Sequence, residues 1–430
     1  MNVSVIGSGY VGTTLAACLA DIGHDVVNVD VDEDVVAAIN AGTAPIHEEG
    51  LSALVSEYAG DRLSATTDYG AVVDTDLTFL CLPTPQDDDG RQDLAVMEAA
   101  AESLGEALAE KSGRHVVVTK STVLPGTNES VVAPVVSERS GKAVGEELGV
   151  GMNPEFLREG SAVADFLDPD KVVVGASDDR TRAAIHEVYE PLADETTMVD
   201  TGVREAEMIK YANNSFLASK VSLVNELGNV CKELDIDAYE VMNAVGLDSR
   251  IGSSFLRSGL GWGGSCFPKD TNALRTLARD EGYEPSLLDA VVAVNDGQPG
   301  RMLDLLNRHV DPDGARIAVL GLAFKPGTDD VRNSRALELV RLLENAGADV
   351  VAYDPVATEN ARAALGDDAD VTYADSAAAA LDGAEAALVA TDWPEFDGLS
   401  FGGMARSVVV DGRRIDVDRD ALNVYEGLCW

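Results

Sequence analysis

Positive charge is what this 430-residue sequence has least of. It carries 32 Lys and Arg against 75 Asp and Glu, a formal net charge of −43. Such a chain repels nucleic acid and anionic membrane surfaces, so neither is expected as a partner. Long apolar runs are also missing. The longest are of strand length, which leaves no candidate transmembrane helix. The first residues run straight into the strand-like Val3-Ser4-Val5-Ile6, without a basic leader or a cleavage site, so no signal peptide is expected. The five cysteines are scattered and odd in number. They suggest no disulfide framework and point to a reducing cytoplasm.

What is present is globular usage: 46% apolar and 25% charged residues exclude a disordered chain. The acid excess sits in surface-type clusters such as Asp87-Asp88-Asp89, Asp178-Asp179 and Asp329-Asp330. Self-repulsion at this density opposes compaction in dilute buffer and is screened at molar salt, where the Debye length is about 3 Å. A salt-adapted, halophilic cytoplasm is the simplest setting for it.

Strand and helix signals alternate along the first part of the chain, which predicts an α/β domain with a mainly parallel sheet. The strand candidates are Val3–Ile6, Val26–Val29, Leu77–Leu80, Val116–Thr119 and Val172–Val174. A long helix pattern follows. Ile209, Ala212, Phe216, Ser219, Leu223, Leu227, Val230 and Leu234 recur at steps of three and four, on one helix face. This run reads as a spine between two domains. After residue 300 the alternation restarts: Arg316–Gly321 resembles the opening strand and its glycine, and Asp349–Asp354 resembles the second strand. The expected architecture is therefore α/β, with two Rossmann-like domains of parallel sheet joined by a long central helix.

Val5-Ile6-Gly7-Ser8-Gly9-Tyr10-Val11-Gly12 is a G-x-G-x-x-G motif directly after a strand and opening a helix. Gly7 permits the tight turn, Gly9 lets backbone approach a pyrophosphate, and Gly12 lets helix pack on strand. The second strand ends on Asp30, close to the spacing at which a carboxylate meets the ribose hydroxyls. A carboxylate there repels a 2′-phosphate, so NAD is favoured over NADP.

Residues 261–270 read Gly-Trp-Gly-Gly-Ser-Cys-Phe-Pro-Lys-Asp. Three glycines in four positions make sense where backbone comes close to a ligand. Pro268 and the run Ala273–Ala278 put a helix start just past Cys266. A cysteine at a helix start and beside Lys269 has its thiolate favoured, and the thiolate is the nucleophile. Cys18, Cys81 and Cys231 lie on apolar faces and read as small buried hydrophobes, with Cys429 near the C-terminus.

G-G-S-C-F-P-K-D at 263–270 resembles the active-site segment of the UDP-glucose/GDP-mannose dehydrogenase family. Further segments agree in order: the Gly-rich start, Lys120-Ser121-Thr122-Val123, Asn153–Gly160, Lys210-Tyr211-Ala212-Asn213-Asn214, Phe324-Lys325 through Arg332, and Asp411-Gly412-Arg413-Arg414. The resemblance covers nearly the whole chain. It implies an NAD-binding domain at 1–200, a central helical and dimerisation domain at 201–298, and a UDP-sugar-binding domain at 299–430.

The implied activity is a four-electron oxidation of a sugar-nucleotide alcohol to the carboxylate, with two NAD and one water. Cys266 captures the aldehyde as a thiohemiacetal, and the second oxidation leaves a thioester that water hydrolyses. Lys210 and Asn214, four apart on one helix, form the donor pair for the developing oxyanion. Asp270 acts with Lys210 and a water held by Thr122 in moving protons, and Glu155 is the candidate base for thioester hydrolysis. Which group takes the first proton stays open.

By the same resemblance Tyr10, Val11, Thr84, Ser121, Thr122 and Arg332 join Gly7, Gly9, Gly12 and Asp30 around NAD. Glu159 either touches the cofactor ribose or only caps a loop. The sugar nucleotide falls to Glu155, Phe156, Leu157, Lys210, Asn214, Phe255, Arg257, Gly261, Gly263, Lys325 and Arg413. Arg250 reaches it from a neighbouring subunit, which makes at least a homodimer obligatory, while Arg414 reads as a mere partner for a surface carboxylate. No metal is called for. Arg158 and Trp262 depart from the family pattern near the expected sugar, so UDP-glucose has UDP-N-acetylmannosamine and GDP-mannose as alternatives. A two-electron hydroxyacid dehydrogenase and a non-catalytic NAD-binding regulator are the rival readings, and neither needs the cysteine.

Overall fold

The computed structural model describes residues 1–87, 90–194, 196–366 and 368–430. Asp88 and Asp89 of the first acidic cluster lie outside the described residues. The chain divides into two compact units, Met1–Asn213 and Asn214–Trp430.

Among the described residues the first unit holds eight strands: β1 (Asn2–Ile6), β2 (Asp25–Val29), β3 (Leu63–Thr66), β4 (Leu77–Leu80), β5 (His115–Thr119), β6 (Leu148–Met152), β7 (Lys171–Ala176) and β8 (Thr197–Thr201). Their order in the sheet is β3-β2-β1-β4-β5-β6-β7-β8. The first six strands are parallel and follow the doubly wound dinucleotide-binding order. β7 then runs antiparallel to β6, and β8 pairs parallel with β7. Helices cover both faces of such a sheet, so its central strands read as continuous apolar runs. β4 and β5 are buried at every position. β6 escaped sequence reading because it is Leu-Gly-Val-Gly-Met. A Cβ on Gly149 would overlap Thr181 Oγ1, and one on Gly151 would come within 2.7 Å of Ile185 Cδ1. The helix Asp179–Tyr189 rests directly on those two glycines.

The second unit repeats the plan. Its strands are β9 (Arg316–Leu320), β10 (Asp349–Tyr353), β11 (Val371–Tyr373), β12 (Ala386–Val389), β13 (Val408–Asp411) and β14 (Val424–Gly427). They are ordered β11-β10-β9-β12-β13-β14 and all parallel. The similarity of Arg316–Gly321 and Asp349–Asp354 to the opening strands is thus a repeat of topology. Asp354 follows β10 as Asp30 follows β2, but it is buried. It accepts hydrogen bonds from the amides of Leu322 (2.7 Å), Ala323 (3.0 Å), Val356 (3.0 Å) and Ala357 (2.8 Å) and from Trp393 Nε1 (3.0 Å).

The helix Val203–Glu233 joins the two sheets in sequence. At 31 residues it is about 46 Å long. Its apolar stripe is not its buried side. Phe216, Leu223, Leu227 and Val230 on the helix, and Leu234 just past its end, are all exposed, Phe216 to 71%. The buried side mixes the apolar Tyr211 and Val224 with small and polar residues, among them Ala206, Lys210, Asn214, Ala218, Ser222 and Asn225. No helix among the described residues is long and apolar enough to cross a membrane.

Candidate active site

The strand ends of the first unit carry the residues expected around NAD. Between β1 and the helix Tyr10–Asp21, Gly7 takes φ +96°, and a side chain there would overlap the Cys81 carbonyl oxygen. A Cβ on Gly12 would overlap the Gly7 carbonyl, so helix and turn meet without room for one. Gly9 differs: a Cβ there would have no atom within 4 Å. Its backbone faces open space at a helix N-terminus, where amides and the helix dipole favour phosphate. Val11 is half-buried in the first turn of this helix.

Asp30 is half-buried, and its carboxylate is fixed by the Ser8 amide (2.5 Å) and the Asp32 amide (3.0 Å). That sets it beside the glycine turn, where a ribose follows a pyrophosphate. Ser121 Oγ accepts the Leu82 amide (2.6 Å), and Thr84 Oγ1 donates to the Thr122 carbonyl (3.0 Å). The segments leaving β4 and β5 are stitched together at the topological switch point beside β1. A residue that sequence reading missed closes this end. Glu48, buried, accepts from Tyr10 Oη and from the amides of Gly160 (2.9 Å) and Ala162 (2.8 Å), tying the loop that carries Glu159 to the glycine-turn helix.

Beyond β6, Asn153-Pro154-Glu155 turns inward. Glu155 and Lys210 form a buried ion pair, Oε1 to Nζ 2.8 Å, with side chains 9% and 5% exposed. Glu155 Oε2 also accepts the Leu157 amide (2.6 Å). Burial pushes the Glu155 carboxyl up, but Lys210, that amide and Lys120 outweigh it and hold it below its ordinary value. The Phe156 ring lies under two ammonium groups, Lys171 at 4.2 Å and Lys210 at 5.4 Å from its centroid. Arg158, one of the two departures from the family pattern, forks onto Asp165 (2.5 Å).

The second unit carries the cysteine loop. Cys266 is the first residue of the helix Cys266–Asp280, which starts at the cysteine itself and not just past it. Its thiol is exposed, whereas Cys18, Cys81, Cys231 and Cys429 are all buried. Sγ lies 3.5 Å from Ser265 Oγ. Asp270, one turn on, is buried and receives Asn214 Nδ2 and Lys269 Nζ, each at 2.6 Å. Lys269, expected beside the thiol, thus pairs with Asp270. Asn214 follows Lys210 by one turn of the long helix.

The glycines before Cys266 serve the protein's own chain. Side chains at Gly261 (φ +103°) and Gly263 would overlap Asn295 Oδ1 and the Asn333 carbonyl, and one at Gly264 would strike the Phe324 ring. The chain's own packing thus requires glycine at these positions, besides the ligand approach expected of them. Trp262, the other departure, is buried, and Nε1 donates to Ser222 Oγ (3.0 Å).

The expected substrate cations are spread around this unit. Arg413 is half-buried, with Nε on the Ala390 carbonyl (2.7 Å) and Nη1 on the Gly261 carbonyl (3.3 Å). Arg257 lies near Asp392 (3.9 Å) and over Tyr239, and Lys325 Nζ is 5.5 Å from the Phe324 ring centroid. Arg250 and Arg332 are exposed and fork onto Asp248 and Asp330. Arg414 grips Asp237 through both nitrogens, 2.6 and 2.7 Å, the carboxylate pairing read for it from sequence. Phe255 holds φ +61°, a conformation a bulky side chain rarely adopts and one that clusters at functional sites. A cavity of 790 Å³ between Asn128–Glu138 and Gly202–Glu205 contains none of the predicted residues.

Three sequence profiles of one family match in order: its NAD binding domain over residues 1–193, its central domain over 204–297 and its UDP binding domain over 318–417. The chain belongs to the UDP-glucose/GDP-mannose dehydrogenase family. This dehydrogenase is 61% identical to the UDP-glucose 6-dehydrogenase of Haloferax volcanii over the full length of both chains. It is 40% identical to the GDP-mannose 6-dehydrogenase of Pseudomonas aeruginosa, over 82% of this chain and 81% of that one. The structure of a UDP-glucose dehydrogenase from Pyrobaculum islandicum superposes with a TM-score of 0.93 at 44% identity, covering 100% of this chain and 98% of the other. As a family member it is an NAD-dependent oxidoreductase, and the open cradle at Gly9 with the anchored Asp30 fits that dinucleotide.

Proposed function

We propose that this dehydrogenase converts UDP-glucose, two NAD and water to UDP-glucuronate, through a covalent adduct on Cys266. The observation that carries this reading is the contrast among its thiols: one exposed at a helix start, four buried. Full-length identity of 61% to a UDP-glucose 6-dehydrogenase supports glucose over the other hexoses.

NAD, seated on Gly7, Gly9, Tyr10, Val11, Gly12 and Asp30 with Thr84, Ser121, Thr122, Glu159 and Arg332 around it, supplies the hydride acceptor. Lys210 and Asn214 donate to the substrate oxygen as negative charge develops on it. The Cys266 thiolate adds to the aldehyde carbon, forming the C–S bond of a thiohemiacetal, whose oxidation gives a thioester. Glu155 takes a proton from water as that water attacks the acyl carbon and the C–S bond breaks. Asp270, held by Asn214 and Lys269, moves protons with Lys210 and a water on Thr122. The family resemblance assigns Phe156, Leu157, Phe255, Arg257, Gly261, Gly263, Lys325 and Arg413 to the sugar nucleotide. The division into 1–200, 201–298 and 299–430 follows these tasks and is supported by the order of the three matched segments.

A panel of UDP- and GDP-sugars incubated with NAD in dilute buffer and in molar KCl tests the activity. UDP-glucose should give two NADH per sugar consumed, at a rate that rises with salt as repulsion among the acidic side chains is screened. A single NADH per sugar, or faster turnover of UDP-N-acetylmannosamine or GDP-mannose, rejects the reading. Five cysteines, scattered and odd in number, fit a cytoplasmic setting.

The working form is a homodimer or larger, with Arg250 entering the neighbouring subunit's site. The exposed apolar stripe of Phe216, Leu223, Leu227, Val230 and Leu234 supports this, because monomers rarely leave such a patch open. Leu223→Glu should convert the assembly to monomer in sedimentation and abolish turnover. An unchanged sedimentation coefficient removes this face from the interface.

A further inference from the structure

Lysine is seldom buried without a carboxylate to pair with. Lys120, in the segment leaving β5, is only 5% exposed, and its hydrogen-bond partners are neutral oxygens. Nζ donates to Asn153 Oδ1 (2.7 Å) and to Tyr189 Oη (3.2 Å). Tyr189 Oη donates to the same Asn153 oxygen (2.6 Å), and Asn153 Nδ2 donates to the Val173 carbonyl (2.7 Å). Three elements thus converge on one asparagine, and only Pro154 separates it from Glu155.

The groups that face this ammonium are Cys81 past β4, Glu155 past β6, Tyr189 on its helix and Lys210 on the long helix. Burial, helped by Lys210 and opposed by Glu155, brings Lys120 down to about 8. Burial pushes the Cys81 thiol up to about 12 and the Tyr189 hydroxyl higher still, so both are neutral. The charges left at neutral pH are two ammonium groups and one carboxylate. When Lys210 turns part of its field to a substrate oxyanion, Glu155 loses part of what keeps it ionised. Lys120 acts on that carboxylate from the protein side, too deep to touch substrate.

We propose that Lys120 is a positioning residue of the oxidation, which clamps Asn153 so that Glu155 meets Lys210 and whose charge keeps Glu155 ionised to accept a proton from water. This rests on Glu155 as the base in thioester hydrolysis. Removing a charge that favours a neighbouring carboxylate raises its pKa by about one unit or more. Removing a residue that serves only packing lowers the rate equally at every pH.

The test is the pH dependence of kcat for UDP-glucose oxidation in the full-length enzyme. Glu155→Gln should abolish the acid limb. Lys120→Met should move that limb up by about one pH unit, and Lys120→Arg, which keeps the charge, should leave it in place. Tyr189→Phe removes a single oxygen and folds if Lys120→Met does not. It weakens the ammonium's hold and should move the limb in the same direction by less. A limb that survives Glu155→Gln overturns both this inference and the role of Glu155. A limb lost in Glu155→Gln but unmoved in Lys120→Met and Tyr189→Phe overturns the inference alone.

Discussion

Cys266→Ala should lower UDP-glucuronate formation by about six orders of magnitude while NAD still binds, since removing a covalent nucleophile costs on that order. The side chain is exposed, so its loss opens no cavity and the fold is unaffected. Without the thiol, the first oxidation yields an aldehyde held only by hydrogen bonds. Cys266→Ser is the sharper variant. Its hydroxyl is a poorer nucleophile, and an oxygen ester resists hydrolysis more than a thioester does. Mass spectrometry of the serine variant turning over UDP-glucose should find the chain heavier by the acylated sugar nucleotide. Turnover by Cys266→Ala at the parent rate, with two NADH per sugar, makes the cysteine structural.

Lys210→Met should lose both activity and stability. Cutting one partner from a buried pair strands the other charge and costs about 3–5 kcal/mol. Here the stranded group is Glu155, held below its ordinary pKa against burial chiefly by Lys210. Chemical denaturation should show the loss. Pairing Lys210→Met with Glu155→Gln removes the stranded charge and should recover most of the stability. It should recover none of the activity, because an oxyanion donor is worth about 10²–10³-fold in kcat. If the double variant is no more stable than Lys210→Met, the pair contributes little to the fold and its geometry is functional only.

How much of this was legible in sequence follows from how each element is specified. β1, β2, β4, β5 and β7 were each found to within two residues, because strands buried on both faces write continuous apolar runs. β6 hides its strand in two glycines on which a helix lies. β8 (Thr197–Thr201) has no fully buried position, so it shows no run at all. In the long helix the periodicity was legible and its meaning was not: the apolar stripe faces outward, while the buried side holds the polar Lys210 and Asn214. The cysteine loop was legible as chemistry, but its glycines answer to Asn295, Asn333 and Phe324, residues remote in sequence. Glu48 and Tyr189 left no signal, since a single buried polar side chain has no local pattern. Lys120 stood in a matched segment with nothing to mark it as buried.

The second sheet repeats the order of the first six strands of the first, yet Asp354 has turned its carboxylate wholly inward. A carboxylate has about four lone-pair sites, and five donors of the chain already crowd this one. With its acceptor sites taken by the chain's own donors, this carboxylate serves as a knot in the second sheet: the topology is repeated at Asp354, and the free ribose acceptor seen at Asp30 is not.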